Sequence, residues 1–229
     1  MQNYKLTIEY DGTDYHGWQI QAEDITVQGT IQNALSLMTK ESIILHGSSR
    51  TDAGVHALGQ TASFKTGARI PAEAYVAGLN CLLPDDIVIR SCEPMDEAFH
   101  ARFSTLNKTY CYHIYNRPIP TAIGRRFSWH IRKKLDIDAM RAAAAIITGR
   151  HDFKSFEGVG SPRAHTFRTV IKADFYEKND GSVVFEVTAD GFLRYMVRNL
   201  VGTFVDVGLE KTSVDKFKRI LEAQNREAA

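Results

Sequence analysis

Apolar and polar residues alternate through Tyr4, Leu6, Ile8 and Tyr10, the two-residue period of a half-buried strand, and Asp11-Gly12 closes it with a turn signal. Over residues 28–40 the period lengthens: Ile31, Leu35 and Met38, joined by Ala34 and Leu37, recur at helical spacing and predict a helix lying against that strand. Residues 43–45 and 60–64 read as short strands, residues 72–82 as a helix stopped at Pro84, and residues 87–91 as another strand.

A long strand is predicted over residues 107–115, with the join between two halves near Leu106, which divides the chain into residues 1–106 and 107–229. Asp136 and Gly149 supply start and stop chemistry for a helix over residues 137–148. Two alternating runs, residues 170–176 and 183–187, flank Asn179-Asp180-Gly181 as a hairpin flanks its turn. A mostly apolar helix over residues 192–206, carrying Arg194 and Arg198, precedes a final amphipathic helix marked by Val214, Phe217, Ile220 and Leu221. Strands and helices mix without strict alternation, which places the chain in the α+β class.

Composition narrows the function. With 229 residues and 44% hydrophobic content the chain can bury one large core or two small ones. No apolar run approaches a membrane span and the N-terminus has no signal-peptide pattern, so a cytoplasmic location is expected. Cys81, Cys92 and Cys111 form no C-x-x-C pair, and the histidines show no zinc spacing, so neither a disulfide framework nor a metal site is expected. P-loop, dinucleotide and G-x-S-x-G patterns are also missing, so no cofactor is expected. A net charge of +1 is too small for a generally basic nucleic-acid binder. Local clusters change that picture: Arg125, Arg126, His130, Arg132, Lys133 and Lys134 form one, and Arg163, His165 and Arg168 a sparser second.

The strongest chemical candidate is the polar stretch Gly47-Ser48-Ser49-Arg50-Thr51-Asp52-Ala53-Gly54. A guanidinium two residues from a carboxylate favours its ionised form, fit to act as nucleophile or base; the plain alternative is a turn with Arg50 capping a neighbouring backbone group. Tyr110 and Tyr112 share one face of the strand predicted over residues 107–115, where they either stack on a base or fill a core. Phe99-His100-Ala101-Arg102-Phe103 interleaves aromatic and basic groups, a pattern suited to unpaired RNA.

Several separated motifs carry a resemblance: Tyr10-Asp11-Gly12-Thr13, Gly17-Trp18-Gln19, Thr26-Val27-Gln28-Gly29, Arg50-Thr51-Asp52-Ala53-Gly54-Val55-His56-Ala57, Phe99-His100-Ala101-Arg102-Phe103, Lys108-Thr109-Tyr110 and Phe192-Leu193-Arg194-Tyr195-Met196-Val197-Arg198-Asn199. In that order they resemble the TruA family of tRNA pseudouridine synthases. The resemblance implies two α+β halves related by a pseudo-twofold axis, their largely antiparallel sheets joined into one and flanked by helices, with an active cleft between them and a homodimer as the working form. It also implies a last strand beyond the final helix, which this chain is expected to lack.

For chemistry, the resemblance implies an isomerase that converts uridine to pseudouridine at positions 38 to 40 of the tRNA anticodon stem-loop. Asp52 is then the catalytic carboxylate, adding to C6 of the base or to C1′ of the ribose or assisting glycosidic cleavage. Arg50 holds Asp52 ionised and fills the gap left by the flipped nucleotide, Tyr110 packs on the base and takes its C5 proton, and Arg198 pairs with Asp52. Contacts to tRNA are implied for Phe99, His100, Ala101, Arg102, Phe103, Ser161, Arg163 and Arg168. Two other readings stand beside it: a silent tRNA-binding protein of the same fold, and a carboxylate glycosidase, which needs a second carboxylate about 5–10 Å from Asp52.

Overall fold

The computed structural model describes residues 1–158, 160 and 165–228 of the chain. It divides into two units, Met1–Thr105 and Leu106–Ala229, each with its own sheet and core. The class is α+β: helices accompany two sheets in which every strand pairing but one is antiparallel.

The first unit contains β1 (Gln2–Tyr10), α1 (Val27–Thr39), β2 (His46–Gly47), β3 (Ala57–Thr66), α2 (Ala72–Leu82) and β4 (Ile87–Met95), its sheet running β2-β3-β1-β4. The alternation seen in the sequence is realised in β1, where Tyr4, Leu6, Ile8 and Tyr10 are all buried. They share one core with Ile31 and Leu35 of α1, Phe64 of β3, and Tyr75 and Leu79 of α2. Thr26 starts α1 by accepting the Gly29 amide, the side-chain cap expected where the first helical amides lack partners.

Two expectations fail here. Leu37, assigned to the packed face of α1, is 72% exposed. Residues 43–45 form no strand, although Ile43 and Leu45 are buried. Their backbone groups bond to α1 side chains instead: Ser36 Oγ accepts the Ile43 amide, Gln32 Oε1 accepts the Leu45 amide, and Gln28 Nε2 donates to the Leu45 carbonyl. Strand pairing starts only at His46, once the chain leaves α1.

The second unit contains β5 (Lys108–Asn116), β6 (Trp129–Ile131), α3 (Ile137–Ile146), β7 (Gly149–Asp152), β8 (Phe167–Glu177), β9 (Ser182–Ala189), α4 (Met196–Gly208) and α5 (Val214–Ala223), in the sheet order β6-β5-β9-β8-β7. The predicted hairpin is β8 and β9; Asp180 accepts the Ser182 amide and Gly181 takes the positive φ of 82° that the turn requires. A chain of phenylalanines ties sheet to helices, with ring centroids 4.7 Å apart for Phe175 and Phe185, 5.2 Å for Phe185 and Phe204, and 4.9 Å for Phe204 and Phe217.

Two helix boundaries differ from expectation. α3 stops at Ile146, two residues early, because the Ile147 and Thr148 amides bond three residues back and Gly149, at φ 102°, turns into β7. α4 begins at Met196, not at 192. The Arg194 carbonyl accepts the Gly158 amide and Tyr195 sits in the left-handed region at φ 58°, so Arg194 precedes the helix. Among the described residues no helix is long and apolar enough to cross a membrane.

Candidate active site

The stretch around Asp52 runs irregularly from Ser48 to His56, between β2 and β3. At its entry the Ser48 amide donates to the Thr61 carbonyl, and Gln60 reaches across to donate to Ser49 O at 2.7 Å while its own oxygen lies 3.2 Å from Ser48 Oγ and 3.3 Å from Ser49 Oγ. Further along, Thr51 is held twice: Tyr10 OH lies 2.9 Å from Thr51 Oγ1, and the Trp18 amide donates to Thr51 O at 3.1 Å. The Val55 amide folds back to the Asp52 carbonyl, and the Gly54 amide donates to Tyr15 O. Asp52 is half-buried and Arg50 exposed on a loop whose backbone is tied on both sides.

Three glycines let the neighbouring chain approach that closely. A Cβ on Gly12 would stand 2.0 Å from the Val55 carbonyl oxygen, and one on Gly17 2.5 Å from the Thr51 oxygen and 3.1 Å from the Asp52 carbonyl carbon. A Cβ on Gly47 would enter the buried Trp18 indole, 2.4 Å from its nitrogen. The motifs that precede Asp52 in the sequence are therefore the scaffold of its loop.

The loop ends on a second polar cluster. Asp11 Oδ1 accepts from the Thr13 amide at 3.0 Å and from the Thr13 hydroxyl at 2.6 Å, and lies 2.8 Å from His56 Nδ1. Burial pushes the Asp11 carboxyl upward, but the Thr13 hydrogen bonds and the His56 ring outweigh it and leave it below the usual carboxylate range. Tyr15 donates to Asp86 at 2.6 Å, and burial first, then that carboxylate, raises its hydroxyl far above the usual range.

Phe99-His100-Ala101-Arg102-Phe103 forms a turn after β4. Asn3 Nδ2 donates to the carbonyls of Asp96 and Phe99, Ser63 Oγ accepts the Ala101 amide, and Ala101 is buried. The fastened backbone leaves Arg102 exposed and Phe103 77% exposed, with the guanidinium 5.7 Å from the ring centre. His100 stacks between Phe103 and His46, at 4.5 and 4.6 Å. His46 belongs to β2, which leads directly into the Asp52 loop, so the turn and the loop entrance are neighbours. Burial, then the His100 charge, lowers the His46 pKa.

In the second unit Tyr110 is half-buried on β5 with its ring edge-on to Phe192 at 5.0 Å. Tyr112, two residues along, meets Trp129 of β6 at 6.5 Å; burial raises its hydroxyl and the Arg198 charge partly offsets this. Arg198 is exposed in the first turn of α4, 5.6 Å from the Tyr195 ring centre, so β5 and α4 bring Tyr110, Tyr112 and Arg198 into one neighbourhood. A groove of about 620 Å³ continues from Arg198 between β6 and α4, and its walls include Trp129, Arg132, Lys133, Asp206 and Lys211. Arg168, on β8, packs beside Gly191, and its guanidinium donates to the Phe167 carbonyl at 2.5 Å. Ser161 and Arg163 lie outside the described residues.

Pattern reading gave no supporting role to Asp11, His56, Gln60, Thr51 or His46. Asp11 carried only a turn signal, and the others lie far in sequence from what they bind. Among the described residues no three His, Cys, Asp or Glu side chains gather as a metal site requires.

An exposed arginine and a half-buried carboxylate on one fastened loop, beside an outward aromatic-basic turn, can offer a nucleophile together with a surface for an unpaired nucleotide. The family model described as tRNA pseudouridine synthase matches residues 6–104 and 143–229. The tRNA pseudouridine synthase A of Acetivibrio thermocellus is 45% identical over 229 residues, covering 100% of this chain and 93% of its own. That of Moorella thermoacetica is 45% identical over 227 residues, covering 98% and 92%. A tRNA pseudouridine synthase A 2 of Clostridium perfringens is 44% identical over 230 residues, covering 100% and 93%. The chain belongs to this family of tRNA pseudouridine synthases.

Proposed function

We propose that this protein is an isomerase that converts uridine to pseudouridine in tRNA, at positions 38 to 40 of the anticodon stem-loop, with Asp52 as the attacking carboxylate. The observation that carries the reading is the full-length likeness to relatives of that name, together with an Arg50-Thr51-Asp52 loop whose backbone is held by Tyr15, Trp18 and Gln60 and whose Thr51 side chain is held by Tyr10. In the reaction the N1–C1′ bond breaks, the detached base rotates, and a C5–C1′ bond forms; C5 gives up its proton and N1 takes one. Atoms and oxidation state balance within the nucleotide, so neither a group donor nor a redox partner is needed.

Each part of the site has work in this reading. A carboxylate on a loop already held in place spends little energy on ordering when the substrate arrives. A uridine must leave its stack to react, at a cost of a few kcal/mol that is lowest in loops and at helix ends. The flat guanidinium of Arg50 suits the vacated gap, and the outward Arg102 and Phe103 suit a backbone phosphate and an unpaired base. Tyr110 and Arg198 keep the roles that the resemblance implies, as do Ser161, Arg163 and Arg168 as tRNA contacts. The homodimer likewise rests on the resemblance, and a tRNA substrate suits a cytoplasmic protein.

Basic residues 125–134 then follow the tRNA backbone, with Arg132 and Lys133 lining the groove beside Arg198. Replacing both by alanine weakens tRNA binding, and the slope of log K against log salt loses about 1–2 units because two phosphate contacts no longer release counterions. The rate at saturating tRNA stays within about threefold. Binding titrations at several salt concentrations check this. The site of modification is read by carbodiimide-dependent reverse-transcription stops on unmodified tRNA: new stops at positions 38 to 40 support the reading, and stops elsewhere overturn the assigned position.

A further inference from the structure

Within the first unit the ladder between β1 and β3 ends at the pair Tyr10 and Ala57. The next residue on each side is Asp11 and His56, and their side chains continue the connection where the backbone pairing stops, with Nδ1 2.8 Å from Asp11 Oδ1. The Gly12 amide lies 3.1 Å from the same imidazole nitrogen. One nitrogen cannot both accept from Gly12 and donate to Asp11. Asp11 Oδ1 already accepts two hydrogen bonds from Thr13 and is held as a carboxylate, so it has no proton to give. An unprotonated Nδ1 would set lone pair against lone pair at 2.8 Å, whereas a protonated Nδ1 donates to Asp11 and leaves the more distant Gly12 amide, at 3.1 Å, without that acceptor; the shorter contact to a charged group prevails. A carboxylate that takes the Nδ1 proton fixes both the plane of the ring and its tautomer.

His56 follows the Asp52–Val55 turn directly and is the last residue before β3, so fixing its ring fixes the exit of the Asp52 loop. The entrance is secured separately by Gln60 and the centre by Trp18 and Tyr10. We propose that Asp11 and His56 are positioning residues for the Asp52 carboxylate, the pair clamping the exit of the catalytic loop to the end of β1. This rests on the function proposed above. The pair lies outside the buried core of the unit, so its loss loosens the loop without unfolding the sheet.

The test uses the full chain as His56→Ala, Asp11→Ala and His56→Asn. An asparagine at 56 presents an amide N–H near the place of Nδ1, whereas alanine presents nothing. Amide hydrogen exchange is followed in peptides covering residues 48–56 and, separately, in β1 and β3, while pseudouridine formation gives kcat and KM for tRNA. The expected result is faster exchange in residues 48–56 alone for both alanine variants, kcat lower by about 10–100-fold, KM within about threefold, and recovery of most of both by His56→Asn. Unchanged exchange in residues 48–56, or exchange rising equally through β1 and β3, overturns the proposal. If the unaltered protein makes no pseudouridine, the function falls, and the exchange measurement still decides whether the pair clamps the loop.

Discussion

Asp52→Ala and Asp52→Asn each abolish pseudouridine formation, lowering the rate by on the order of a thousandfold or more, while tRNA binding and stability stay near those of the unaltered protein. Enzymes lower barriers by about 8 kcal/mol or more, and removing the attacking group forfeits the covalent share of that fall. The loop backbone is held at Ser49, Thr51, Gly54 and Val55, and side-chain bonds at Ser48, Ser49 and Thr51 add to this, so these supports remain in both variants. Asparagine is the sharper variant because it keeps the size and removes only the charge and nucleophilicity. Single-turnover assays on unmodified tRNA, with binding measured alongside, separate the two effects.

Gly12→Ala and Gly17→Ala lower activity by about a hundredfold through geometry alone, although neither residue carries a functional group. An added methyl at 12 would stand 2.0 Å from a backbone oxygen, and a main chain cannot yield as a flexible side chain does. The relief available is to push Val55, and with it the Asp52–Val55 turn, away from β1. At 17 the strain is double: a φ of 90° that L residues avoid and a methyl 2.5 Å from Thr51 O. Overpacking of this kind costs about 1–3 kcal/mol in stability. Gly59→Ala is the control, since its Cβ meets no atom within 4 Å, and it changes stability by less than about 0.5 kcal/mol. Denaturant unfolding and activity assays on the three variants give the comparison.

Elements with a sustained period were legible in the sequence. β1 alternates, α1 and α2 repeat at helical spacing, and the β8–β9 hairpin carries its turn in Asn179-Asp180-Gly181. Short strands were not legible: β2, β6 and β7 span two, three and four residues, too few for a period to show. β6 is further hidden because it runs through the basic cluster, where charge masks its pairing with β5. Residues 43–45 misled for the opposite reason, being apolar enough for a strand but bonded to helix side chains.

At the site, a polar, glycine-rich interval between strands made Arg50 and Asp52 candidates beside the plain alternative of a turn, and the family resemblance gave them their roles. Its supports were not legible, because Gln60, Trp18 and the Asp11–His56 pair act across distances in sequence that no local pattern reports. Phe99 to Phe103 was legible as an aromatic-basic surface, while its stacking on His46, more than fifty residues earlier, was visible only in the fold.

The most direct test of the central claim follows the one atom that the isomerisation must release. With tRNA carrying tritium at C5 of its uridines, formation of the C5–C1′ bond frees tritium into water. The account predicts release that plateaus near one equivalent for each modified uridine with the unaltered protein, and none above background with Asp52→Asn. Binding of the tRNA without tritium release by the unaltered protein, or equal release by Asp52→Asn, would contradict it.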